Sequence, residues 1–447
     1  MNVRGRFLGT VIVLFFCIMC CMSFAAFALE TGTYTLRKSI EEAFSNNWSL
    51  KAKAEKITQS EQVKKQARAE FFPKLSTSYG YTRLSETPTI DFELPPPAPG
   101  SSEFPVGTRD NYQWKGTVTQ PLFTGFALLS SYDLAKLGID QSRIELSLEK
   151  LNLALQVKEA YFAILKADKA LDVAQKAVAA LESHVKVAQN FYDVGMIPVN
   201  EFLKAEVELS NAQHDLVRAQ SGARLARASF NTVLSRPIEA PVEVEDILFY
   251  KAVACALQDY LPKALKNRPE IKAIDLAIQQ TDQQIRLAKS KNYPEIAFTY
   301  DYIKEGDDMG VSGDEYHDAS RWEATVGLSW TFWEWGKTHY AVREKQSLKK
   351  QLLHQKRALE DGILLDVKNA ILDLEVARKD IPTTKKAVEQ AEENLRVSEE
   401  RYKVQATTST EVLDAQTLLT QARSNYYDAL YDHNLAKARL KRAIGEY

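Results

Sequence analysis

"FYDVGMIPVNEFLKAE" spans positions 191–206, and 210 positions later the chain reads "RYKVQATTSTEVLDAQ" (401–416). Tyr192 falls on Tyr402, Val194 on Val404, Glu201 on Glu411, Leu203 on Leu413 and Ala205 on Ala415. Each time a short turn separates two long stretches of helical periodicity, so the repeat marks two helical hairpins. The first turns at Gly195, Met196, Ile197 and Pro198, the second at Gln405, Ala406, Thr407 and Thr408.

The likeness extends outward from the turns. At an offset of 221, Leu36 meets Leu257, Ala43 meets Ala264, Asn46 meets Asn267, Pro73 meets Pro294 and Tyr79 meets Tyr300. From about residue 112 to the end the offset is 210, so 11 extra residues lie in the segment containing "ELPPPAPGSSEFP" (93–105). A tandem duplication accounts for this pattern. The expected organisation is a signal segment (1–28), a first repeat (29–235), a linker (236–256) and a second repeat (257–447). Each repeat opens with two helices, about 36–47 and 49–72 in the first and 257–267 and 270–292 in the second. A strand pair follows, at about 74–120 and about 295–332, and then a long helical hairpin, 127–235 and 337–447.

Arg4 and Arg6, the apolar run Leu8 to Met22 and an Ala26-x-Ala28 site have the layout of a secretory signal; a membrane anchor is the alternative. No lipobox precedes Cys17, Cys20 or Cys21, which speaks against a lipid anchor. Beyond the signal only Cys255 remains, too few for a disulfide framework or a Cys-based metal cluster. Removing Arg4 and Arg6 takes the formal charge from −2 to −4, which gives nucleic-acid binding no support. No later stretch has the length and apolarity of a membrane helix, but alternating strands escape that criterion.

The strands alternate. Leu75, Tyr79 and Tyr81 oppose Ser76, Ser78, Gly80 and Thr82; Tyr112, Trp114, Gly116 and Val118 oppose Gln113, Lys115, Thr117 and Thr119. Ile296, Phe298, Tyr300 and Tyr302 oppose Ala297, Thr299 and Asp301. Trp322 to Phe332 repeats the pattern against Glu323 to Thr331. One aromatic face and one small polar face suit an outer-membrane barrel; a soluble β-sandwich is the other option. Four strands cannot close a membrane barrel, for which single chains need about eight. Strands that span lipid here must therefore be pooled between chains.

Ala127 to Tyr192 contains no proline and only Gly138, a rod of about 100 Å. Leu171, Ala174, Val178, Leu181, Val185, Ala188 and Tyr192 form a heptad seam. Leu374, Ala377, Ile381, Val388, Ala391, Leu395 and Tyr402 repeat it, with a kink expected at Pro382. Nearer the strands, Leu146, Leu153, Val157, Ala160 and Ile164 run beside Ile144, Leu148, Leu151 and Leu155. Two apolar stripes suit a helix packed on both flanks within a closed wall.

The duplicated plan, "QPLFTGF" (120–126), "NRPEI" (267–271), the Tyr192–Gly195 turn, "TEVLDAQTLL" (410–419) and "LAKARLKRAIGEY" (435–447) together resemble the TolC family of outer-membrane efflux proteins. The resemblance covers essentially residues 30–447 and implies a mainly α fold with a shared transmembrane β-barrel, a trimeric α/β barrel tunnel. It also implies an outer-membrane location with the helices in the periplasm. The partners implied are a second and third copy of the chain, outer-membrane lipid, a periplasmic adaptor and an inner-membrane transporter. The role implied is exit duct of a tripartite efflux pump or type I secretion system, and not enzymatic. The helical turns would form the adaptor-docking tips, at Gly195, Met196, Ile197, Pro198, Gln405, Ala406 and Thr408.

The aperture would be ringed by Asp414 and Glu411 with Tyr402, Glu201, Lys204 and Thr407 beside them. The family's basic latch residue is missing at Thr407, and Gln405 stands where the first copy keeps Gly195. "TSTE" (408–411) also has the form of a capping box, so Glu411 has a capping reading beside the gating one. Asp414 lies beyond capping reach.

The acid-rich loop 304–318 lacks calcium-ligand spacing, and His184 and His354 are expected on polar helix faces. No nucleophile elbow, phosphate loop or dinucleotide fingerprint is present, and no cofactor or metal is expected. The rivals are a periplasmic adaptor, which has one hairpin between β halves, and an envelope coiled-coil scaffold, which conducts nothing.

Overall fold

The computed structural model describes residues 33–93, 101–250 and 257–447. The signal segment, most of the Pro-rich insert and Cys255 lie outside the described residues.

Among the described residues eight α-helices and six strands follow one another. Helices α1 (Leu36–Asn46) and α2 (Trp48–Ala69) lead into β1 (Lys74–Arg83), a small β2–β3 hairpin (Thr89–Glu93, Ser101–Pro105) and β4 (Asp110–Thr124). The first long hairpin is α3 (Ala127–Asp193) and α4 (Val199–Val233). Then come α5 (Leu257–Asn267), α6 (Pro269–Lys289), β5 (Glu295–Gly306), β6 (Ser320–Ser329) and the second hairpin, α7 (Lys337–Lys403) and α8 (Ser409–Ala443). Both α3 and α7 have 67 residues, about 100 Å of helix. The second runs unbroken through Pro382, after which the Thr383 and Thr384 hydroxyls donate to the Lys379 and Asp380 carbonyls.

The main sheet is antiparallel in the order β1-β4-β5-β6. Its register brings Leu75, Tyr79, Tyr81, Tyr112, Trp114, Val118, Tyr300, Tyr302, Trp322, Val326 and Leu328 to one face. On the other, Lys115 pairs with Asp301 at 2.8 Å and Arg321 with Glu305 at 2.6 Å. The aromatic and polar faces expected from alternation are thus present. Pairing of β6 stops at Ser329, earlier than the strand expected to Phe332. Beyond it Trp330 donates to the Asn292 carbonyl and Trp335 turns left-handed, so the chain bends into α7 instead of continuing the ladder. Both outer strands, β1 and β6, are exposed along their whole length.

Strands pass into helices through two successive left-handed residues, Gly125–Phe126 in one hairpin and Trp335–Gly336 in the other. Gly125 is required: its φ is +58°, and a Cβ there would collide with the Ser290 carbonyl.

The helices pack side by side as a layer. Helix α2 lies along the first half of α3 and α4 along the second, meeting end to end where Asn47 donates to the Val233 carbonyl at 3.0 Å. On the opposite flank α6 and α8 do the same. There Arg442 reaches Glu270 at 3.4 Å, and buried Arg268 binds Glu270 and Asp366. Helix α3 is therefore packed on both sides, as its two stripes require, whereas α7 packs against α5, α6 and α8 and leaves Leu365, Leu372 and Val376 exposed. At mid-length Tyr34, Val242 and Leu248 cover Val157, Tyr161, Ile164, Phe230 and Leu234 to form the main core. A second core joins Ala264 and Ile271 to Ile363, Val367 and Leu374.

Candidate functional site at the hairpin tips

The two turns are built alike. Val194 ends one helix and Gly195 takes φ +73°; its N–H donates to Tyr192 O at 2.9 Å, and Met196 N–H donates to Phe191 O at 2.8 Å. In the second turn Gln405 takes φ +60°, with Gln405 N–H to Tyr402 O at 2.9 Å and Ala406 N–H to Arg401 O at 2.8 Å. These bonds satisfy carbonyls that a helix end leaves open. Gln405 thus adopts the glycine conformation without being glycine. Val194, Met196 and Val404 project from the tips at 68%, 57% and 74% exposure.

The start of α8 departs from the capping box. Thr408 occupies the N-cap position, but its side chain makes no capping bond. The Glu411 carboxylate turns away from the Thr408 N–H, to the Thr407 hydroxyl and to Arg401 at 3.4 Å, closing its own hairpin. The acceptor at the helix N-terminus comes from the other hairpin: Glu201 accepts the Ser409 N–H at 3.4 Å. A carboxylate is favoured there by the helix dipole as well as by the bond.

Around that contact the hairpins are joined side chain to side chain. Ser409 is buried, and its hydroxyl lies 2.8 Å from His184 Nε2 on α3. The His184 ring lies 5.0 Å from Tyr402, which also packs on Phe191 at 5.5 Å. Burial pushes the His184 imidazole down to about 4, so it is neutral at pH 7. Burial also raises the Tyr402 phenol; the Ser409 hydroxyl opposes this and the Glu201 charge adds to it. The Tyr402 hydroxyl has no hydrogen-bond partner of good geometry.

Lys204 and Asp414 line one groove of about 640 Å³ between α4 and α8, with Leu203, Val207 and Leu413 as its apolar walls. They are not within ion-pair distance. The structure therefore sorts the expected residues into three places. Glu201 and Tyr402 belong to the clamp between hairpins, Thr407 and Glu411 to the second turn, and Lys204 and Asp414 to the groove. His184, expected on a polar helix face, is instead desolvated within the clamp, and the sequence pattern marks neither it nor Ser409 nor Arg401 as a site residue. His184 gave a faint sign, standing one place before Val185 of the heptad seam. The acidic loop spends its carboxylates locally: Asp308 accepts from Ser312, and Asp314 from the backbone of Tyr316 and His317.

The family model described as "Outer membrane efflux protein" matches residues 39–235 and 260–446. Among curated proteins, the outer membrane efflux protein BepC of Brucella suis is 21% identical over 411 residues, covering 92% of this chain and 85% of that protein. The outer membrane protein TolC of Vibrio cholerae is 21% identical over 320 residues, covering 70% and 72%. Among solved structures, the Campylobacter jejuni CmeC outer membrane channel superposes with a TM-score of 0.76 at 14% identity, covering 92% of this chain and 85% of that one.

Proposed function

Since the chain belongs to the outer membrane efflux protein family and has its place in the outer membrane, we propose that three copies assemble into one exit duct. Twelve strands would form a common barrel and the helical layers a tunnel through the periplasm. The duct would be passive and driven by an inner-membrane transporter through an adaptor seated on the hairpin tips, in efflux or type I secretion. The two repeated halves, a product of duplication in this reading, give each chain two tips at the same end.

One observation carries the reading: the sheet has two faces of opposite character and two unpaired edges, β1 and β6. Unpaired backbone groups in lipid cost several kcal/mol each, so the edges must be covered by other copies. The helical layer supports the same closure. Its open flanks leave Leu365, Leu372 and Val376 of α7 exposed on one side, and Val217 and Leu225 of α4 on the other. Packing these against each other removes apolar surface from water at about 25 cal/mol per Å².

Asp414 and Lys204 are the proposed aperture residues. In planar-bilayer recordings the protein is expected to conduct, and Asp414→Ala to weaken block by divalent cations. A protein that never passes current refutes the duct; unchanged block removes Asp414 from the gate.

A further inference from the structure

The cations of the sheet are matched with one exception. Lys74 binds Glu70 at 2.5 Å, Arg83 binds Asp110 at 3.2 Å, Lys115 binds Asp301, and Arg321 binds Glu305 and Glu323. Lys304 on β5 is exposed and has no carboxylate within ion-pair distance among the described residues. The register decides which way it faces. Lys304 pairs with Trp114, which pairs with Tyr79, so all three stand on the aromatic face. The carboxylates Asp301, Glu305 and Glu323 stand on the opposite one.

Its height follows from the same register. Lys304 is level with Ser320, and Leu328 lies eight residues further down β6. Eight residues span about 26 Å of strand, or about 20 Å of membrane depth at a tilt near 40°. Lys304 therefore stands at the loop end of an apolar band whose full height is about 25 Å. Tyr79, Trp114, Tyr302 and Trp322 surround it. An unmatched ammonium is unfavourable inside that band and tolerated at its border, where the side chain can reach the headgroups. A neighbouring copy cannot supply the counter-charge through its first strand, whose aromatic face bears Leu75, Thr77, Tyr79, Tyr81 and Arg83 and no acid.

We propose that Lys304 binds the phosphate of an anionic lipid in the outer leaflet, with the tyrosines and tryptophans around it holding the lipid's upper chains. The inference rests on the shared-barrel reading, which places the β5–β6 loop outside the cell and this face in lipid. It gives one such site per chain. Lys304 is the cation; Tyr79, Trp114 and Trp322 are the apolar contacts.

The test is native mass spectrometry of the full-length assembly in detergent, with a bisphosphorylated disaccharide lipid, its dephosphorylated form, or inorganic phosphate added. Wild type is expected to retain the phosphorylated lipid about fivefold better than Lys304→Gln, as expected for one surface cation facing an anionic headgroup. Lys304→Arg should retain it as wild type does, and the dephosphorylated lipid should not distinguish the three. Trimers with equal retention by wild type and Lys304→Gln would overturn this inference alone. Displacement of the lipid by millimolar inorganic phosphate would overturn the lipid assignment. Monomers in the spectrum would overturn the shared-barrel reading, and this inference with it.

Discussion

Gln405 stands in the left-handed conformation that Gly195 adopts in the matching turn. A residue with a Cβ pays roughly 1 kcal/mol there. Gln405→Gly is therefore expected to raise the stability of the second hairpin by about 0.5–1 kcal/mol, read from denaturant midpoints of the assembly. His184 makes a pH prediction. Its folded-state value, about 4, lies below the ordinary 6.5, so its contribution to the clamp is complete above pH 6.5. It is lost as pH falls from 6.5 towards 4, by an amount of order 2 kcal/mol. Hydrogen-exchange protection at Ser409 and Thr410, corrected for the intrinsic pH dependence, should fall across that window in wild type and stay flat in His184→Asn. At this scale the sequence was only partly informative. Tyr402 and Glu201 could be singled out because the repeat aligned them with Tyr192 and Glu411. The contact of Glu201 with Ser409 joins residues 208 apart, and no local pattern encodes it. The local pattern even misdirects at Glu411, where the capping-box spacing is present but Arg401 and Thr407 offer the carboxylate better partners.

The elements were far more legible, since periodicity is a property of many residues at once. Alternation set the two faces of β1, β4 and β5, and the double stripe of α3 foretold that it would be packed on both sides. What alternation could not give was the end of β6. Trp330 and Phe332 keep the pattern, yet the left-handed residues Trp335 and Gly336 turn the chain into α7. The role of α1 and of the segment after α4 was also hidden, because it depends on distant backbone. Tyr34 and Glu245 present carbonyls to the Tyr161 hydroxyl at 2.9 and 2.8 Å, fastening those segments across α3. Tyr161→Phe keeps the ring in the core and removes only this fastening. A loss of about 1 kcal/mol is expected, as for a single buried hydrogen bond, measured by urea unfolding of the assembly.

For the whole molecule, open edges and open flanks coincide. β1 and the helices α2 and α4 lie at one border of the protomer, and β6 and α7 at the other. Closure of the sheet and closure of the helical layer would therefore be one event, and neither part is expected to be stable in its place alone. The curvature needed for three copies to meet is a global property, and neither periodicity nor motif spacing carries it. The most direct test of this account is the mass of the detergent-extracted full-length particle, by light scattering with the detergent contribution subtracted. Three chains per particle is the expected result. A monodisperse particle of one chain, folded and with its strands intact, would contradict it.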